Sequence, residues 1–116
     1  MTVKELVEQT GFTVMNLADN AGEREVCRVY CCDLLSIAMT KVPEGAAWVT
    51  VMSNINTLAV ASLTEAACVI LAENVAVDAS VLEKAKMEQI TVLRTTQPVF
   101  DAALKVYGLG IAESGV

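Results

Sequence analysis

The chain has no histidine, and its eight lysines and arginines are scattered rather than clustered. Lacking histidine, it lacks the side chain that most often moves protons near neutral pH and most often binds zinc. A formal net charge of −6 with no basic patch suits phosphate backbones poorly, because lysine and arginine carry most of that affinity. No GxxxxGK[ST] run is present to cradle β- and γ-phosphates, and no CxxC pair offers a zinc spacing. The opening residues, MTVKELVEQTG, have no apolar core of the kind a signal peptide needs. No apolar run approaches the roughly 20 residues that span a bilayer. The chain therefore reads as a cytoplasmic protein that binds neither nucleic acid nor membrane, needs no cofactor or metal, and is not an enzyme.

What is abundant is apolar surface. Hydrophobic residues make up 54% of the chain, against about 45–50% in ordinary domains. At 116 residues the chain can bury one core but not two, so residues 1–116 read as a single domain. In so small a domain the apolar excess implies a face buried against a partner, most simply a second copy, and a homodimer is expected.

The pattern along the chain alternates strand and helix. Thr2 and Glu5 fit a capping box, Val3, Leu6 and Val7 form an apolar stripe, and Gly11 is placed to end a first helix. Phe12 to Leu17 reads as a strand and Ala18 to Glu25 as a loop. A strand over Val26 to Cys31 leads to Asp33, a candidate cap for a helix from Leu34 to Lys41. Ala47 to Met52 forms a central strand anchored by Trp48, and a helix follows the Ser53-Asn54-Ile55-Asn56 corner. Cys68 to Leu71 is a short apolar run suited to a strand covered on both faces. Ser80 and Glu83 match a second capping box, Ile90 to Leu93 a further strand, and Pro98 opens a helix. In that last helix Phe100, Ala103, Leu104 and Tyr107 share one face, and Gly108 stops it. These alternations predict an α/β fold: a single three-layer domain whose mainly parallel sheet is flanked by helices.

The four cysteines, Cys27, Cys31, Cys32 and Cys68, lie in or beside apolar segments and read as core thiols. Cys31 and Cys32 are adjacent, so in extended chain only one can face the core. A redox or metal role at that corner is the sharper alternative. Met39 and Met52 read as core filling.

In an open parallel sheet, ligands sit beyond the carboxyl ends of the strands, especially where adjacent connections leave toward opposite faces. Four corners fit that rule, and their polar residues are the candidate ligand-binding set: Asp33, Ser53, Asn54, Asn56, Glu73, Asn74, Thr95 and Thr96. The competing reading is structural. Asp33, Asn56 and Thr96 are common caps, and Asn54 and Asn74 are common turn residues. Asp33 and Glu73 have no nucleophile, metal cluster or electrophilic cation beside them, so no catalytic residue is assigned.

The stretches DLLS, PEGAAWVTVMSNINTLAVASL, ACVILAE and TVLRTTQPVFDAA carry a resemblance. Together they resemble the DRTGG family and are similar to the amino-terminal domain of HPr kinase/phosphorylase. Where relatives show a Thr-Gly-Gly turn, this chain has Leu71-Ala72-Glu73-Asn74, so a function tied to a glycine turn is not carried over. The resemblance implies a regulatory or dimerising α/β module without kinase activity. What it leaves open is whether the partner is another copy, another protein, or a small polar ligand such as a nucleotide sensed at the rim.

Overall fold

A computed structural model of the chain describes residues 1–111. The elements run α1 (Val3–Thr10), β1 (Thr13–Asn16), β2 (Arg28–Cys31), α2 (Leu35–Lys41), β3 (Ala46–Thr50), α3 (Ile55–Thr64), β4 (Cys68–Leu71), α4 (Ala79–Met87), β5 (Val92–Arg94) and α5 (Val99–Tyr107). They build one sheet in the order β1-β5-β4-β3-β2, parallel from β2 to β5, with β1 antiparallel at the far edge. This is the α/β layer arrangement expected from the alternating pattern.

Strand side chains alternate between faces, and the register sorts them into rows. Tyr30, Trp48, Val69 and Val92 stand side by side across four strands. Against them pack Ala38 of α2, Leu58 and Ala61 of α3, and Val81 and Ala85 of α4. On the opposite face Val49, Ile70 and Leu93 meet Val3 and Leu6 of α1 and Ala102 and Val106 of α5. Because β2 to β5 are laid down in spatial order, right-handed crossovers put α2, α3 and α4 on the same side. Adjacent connections therefore diverge only between β4 and β5.

Both β3 and β4 are buried along their whole length. Trp48 is fully buried, and its indole N–H donates to the Cys32 carbonyl at 3.0 Å. The strand expected to be central is thus interior, although β4 holds the middle position. At the start of β3, Gly45 has φ 77° and accepts from the Cys27 amide at 2.8 Å. A Cβ there would stand 2.9 Å from the Cys27 sulfur, so only glycine fits. No helix among the described residues is long and apolar enough to cross a membrane.

The first capping box forms as expected: Thr2 Oγ1 accepts from the Glu5 amide at 3.2 Å, and Glu5 Oε1 from the Thr2 amide at 2.9 Å. Gly11, at φ 69°, closes α1. Other helix ends differ from expectation. Leu34, not Asp33, is the cap residue of α2, because the chain stays extended through it and the Asp33 carboxylate is bound elsewhere. Asn54, not Asn56, caps α3, its Oδ1 accepting from the Asn56 and Thr57 amides at 2.9 and 3.1 Å. Ser80 lies inside α4, which begins after Asp78 in the register that buries Val81 and Ala85; no second capping box forms. Thr96 is not a cap either, since Pro98 takes the cap position of α5. Gly108 does end α5 as expected, in ordinary helical conformation, and the left-handed turn falls at Gly110.

Glu65 closes α3 in the left-handed region at φ 58°, its amide bonded to the Ala61 and Ser62 carbonyls. A non-glycine residue there costs about 1–2 kcal/mol, while glycine costs about 0.5–1 kcal/mol in backbone entropy. Glu65→Gly is therefore expected to stabilise the fold by about 0.5–1 kcal/mol, read as a higher urea midpoint at unchanged slope.

Candidate functional site

The rim beyond the carboxyl ends of β2 to β5 is built from short connectors, and most of its polar groups are bound within the protein. The Asp33 carboxylate joins two strand ends: its Oδ1 accepts from Thr50 Oγ1 at 2.7 Å and from the Val51 amide at 2.9 Å. The Ser53 hydroxyl donates to the Ala76 carbonyl at 2.7 Å, tying the β3 connector to the β4 connector. Asn54 caps α3, and Asn56 lies exposed in its first turn.

Between β4 and β5, where the connections part, a ligand crevice would be expected. Glu73 and Asn74 instead adopt successive left-handed conformations, at φ 59° and 52°. Their amides donate to the Gln97 and Thr95 carbonyls, each at 2.9 Å, so the crevice is bridged by main chain. The left-handed bend is made here without glycine.

Of the candidate residues, Thr95 and Thr96 line a pocket together. This is a space of about 290 Å³ between the Thr10–Thr13 turn and the end of β5, with Arg94, Gln97 and Lys105 also on its walls. Thr96 is exposed, Thr95 Oγ1 accepts from the Gln97 amide at 3.2 Å, and the buried Gln97 Oε1 has no hydrogen-bond partner. The Lys105 ammonium stands 5.8 Å from the centre of the Phe12 ring. Asp33, Ser53, Asn54, Asn56, Glu73 and Asn74 lie outside this pocket.

The cysteines are not four core thiols. Only Cys68 is buried; Cys27 and Cys31 are exposed and Cys32 is half-buried, because β2 is the last strand of the sheet order, next to β3. Burial pushes the Cys68 thiol up to about 12. The Cys31 thiol is also raised, first by its apolar surroundings and then by the nearby Asp33 carboxylate, the opposite of what an activated thiolate needs. Met39 is exposed rather than core, while Met52 packs beneath α2 to α4. Among the described residues, no group of three histidine, cysteine or acidic side chains is placed to hold a metal.

Two features escaped the sequence reading. Thr50 gave no signal as the partner of Asp33, since the contact spans two strands. The shared face of Phe100, Leu104 and Tyr107 points outward, and these side chains are 71%, 55% and 56% exposed. The available signal was that α5 is apolar on two sides, with Ala102 and Val106 able to serve as its inward side.

No family model matches the chain, and no curated protein matches it in sequence. Among solved structures it is similar to the CBS and DRTGG domains of the regulatory region of Clostridium perfringens pyrophosphatase, complexed with the activator diadenosine tetraphosphate. The TM-score is 0.70 at 14% sequence identity. The fold is DRTGG-like. The likeness covers 90% of this chain and 45% of the other, so the chain spans less than half the length of that neighbour.

Asp33→Ala is expected to destabilise the protein by about 1.5–2 kcal/mol, within the range for hydrogen bonds to a charged group. Asp33→Asn keeps an acceptor oxygen and should recover more than half of that loss in the same denaturation measurement. In timed alkylation at pH 8 followed by mass spectrometry, Cys68 should stay unlabelled until the fold opens, and Cys31 should react more slowly than a free thiol.

Proposed function

We propose that this chain is a regulatory or scaffold domain of the DRTGG type, akin to the amino-terminal domain of HPr kinase/phosphorylase. It acts as a cytoplasmic homodimer and catalyses no reaction. One contrast carries the reading: rim polar groups are bound to the protein's own connectors, while an apolar stripe along α5 faces outward. A domain that does chemistry needs convergent polar groups free to meet substrate; a domain that works by contact needs an apolar face. The shared fold with a regulatory region supports this reading without carrying a mechanism. Purified protein is expected to turn over no phosphorylated metabolite or nucleotide, and robust turnover abolished by a rim substitution would overturn the proposal.

A second reading has its own observation. The pocket holding Thr95 and Thr96 is polar and has Arg94 and Lys105 on its walls, two of the eight cations of an acidic chain. A small anionic or nucleotide ligand at this rim makes the domain a sensor. Thermal shift against mononucleotides, diadenosine tetraphosphate and phosphorylated metabolites tests it. A ligand at a hundred times its dissociation constant adds about 2.7 kcal/mol, roughly 10 °C in a domain of this size. No movement across the panel removes the sensor reading.

A further inference from the structure

The walls of the pocket between the Thr10–Thr13 turn and the end of β5 specify more than a place to bind. No acidic side chain lines it, although the chain holds 14 aspartates and glutamates against eight lysines and arginines. The Lys105 ammonium, exposed and 5.8 Å from the centre of the Phe12 ring, makes no ion pair among the described residues. Arg94, the other cation on the wall, is half-buried and directs one guanidinium nitrogen toward the Val75 carbonyl at 3.5 Å. Thr96 is exposed, and Thr95 Oγ1, which accepts from the Gln97 amide, keeps its own proton to donate. Gln97 Oε1 is buried with no donor to meet it.

We infer that this pocket takes a small molecule with a single anionic group, a carboxylate or a phosphate monoester, and a hydroxyl or amino group beside it. The inference rests on the sensor reading above and narrows its ligand class.

Charge sets the first requirement. One uncommitted ammonium with threonine hydroxyls beside it matches one anionic head. A chain of phosphates would bring several charges toward that single free cation, in a protein of net charge −6. Gln97 sets the second requirement. A buried acceptor without a donor is costly, and no group of the protein supplies one. The side chain is only half-buried and its terminal torsion is soft, so a turn of the amide presents Oε1 to a ligand. A bare anion has no proton to give it; a hydroxyl or amino group has. Size and shape set the third. The space of about 290 Å³ stands at the lower limit of ordinary ligand pockets, about 300–1,000 Å³. Bases are gripped by stacking on aromatic rings, and the one aromatic on the wall, Phe12, is 7% exposed with Lys105 over it. A nucleobase therefore has no platform here, and a dinucleotide exceeds the space.

The test is a proton–nitrogen correlation NMR titration of the full chain at millimolar ligand. The probes form matched pairs, glycerate with propionate and glycerol 3-phosphate with methyl phosphate, alongside AMP and diadenosine tetraphosphate. The variants are Lys105→Gln, Gln97→Leu and, as control, Lys86→Gln, an exposed lysine of α4 outside the pocket. An otherwise unchanged spectrum shows that each variant folds. The expected result is that a hydroxylated probe shifts the Thr95, Thr96 and Gln97 amides and binds at least tenfold more tightly than its matched partner. Which of the two hydroxylated probes binds separates a carboxylate source from a phosphate one. Lys105→Gln should weaken that binding at least tenfold, Gln97→Leu should erase the preference for the hydroxylated probe, and Lys86→Gln should do neither. Equal binding within each pair, or unaltered binding by Lys105→Gln, overturns the inference. Shifts at these amides with AMP or diadenosine tetraphosphate alone overturn the single-anion class and leave the sensor reading standing. No shift with any probe overturns both.

Discussion

The requirement that β3 and β4 be covered on both faces governs this structure. Every residue of those strands is buried, and a parallel sheet gives them no wet side on which to place polar residues. Their sequence is therefore a nearly unbroken apolar run, and helices must lie above and below. Three helices follow from the crossovers themselves and fill one layer. Among the described residues the other layer has α1 and α5, supplied from the two ends of the fold. In this layer α5 turns Ala102 and Val106 toward the sheet and leaves Phe100, Leu104 and Tyr107 exposed.

The same constraint accounts for the rim. Short connectors between a buried sheet and its helices leave little free backbone, and polar groups there must find partners nearby. Asp33 holds the ends of β2 and β3 together, Ser53 binds one connector to the next, and Glu73 and Asn74 close the one place where the connections diverge. In many α/β proteins these positions meet ligand. Here they mostly fasten strand ends, and the pocket that remains open lies beside the antiparallel strand rather than between parallel ones.

Much of the fold was legible in the sequence because its signals are local. The capping box at Thr2 and Glu5, the closing glycine at Gly11 and the apolar run from Cys68 to Leu71 each depend on residues a few positions apart. The errors arose where a distant contact decided the outcome. Asp33 has a good local reason to cap a helix, but Thr50 and the Val51 amide compete for its carboxylate, and no local pattern reports them. The spacing of Phe100, Leu104 and Tyr107 identifies a face but not its direction, because α5 is apolar on both sides. The cysteines look buried by composition, yet strand order, which composition does not encode, places Cys27 and Cys31 at an edge. At the candidate site, the residue types were readable as capping and turn residues, whereas their pairings across connectors required the fold.

The bridge made by Glu73 and Asn74 has a mechanical consequence. The connector entering α4 and the connector entering α5 leave toward opposite faces, yet two main-chain hydrogen bonds join them. Neither helix can swing at its first turn without breaking those bonds or moving the other connector. The two outer layers are thus coupled at the rim as well as through the sheet, so opening should be shared between them rather than confined to one. Contact with a partner along α5 would then be felt at the start of α4, on the far side of the molecule.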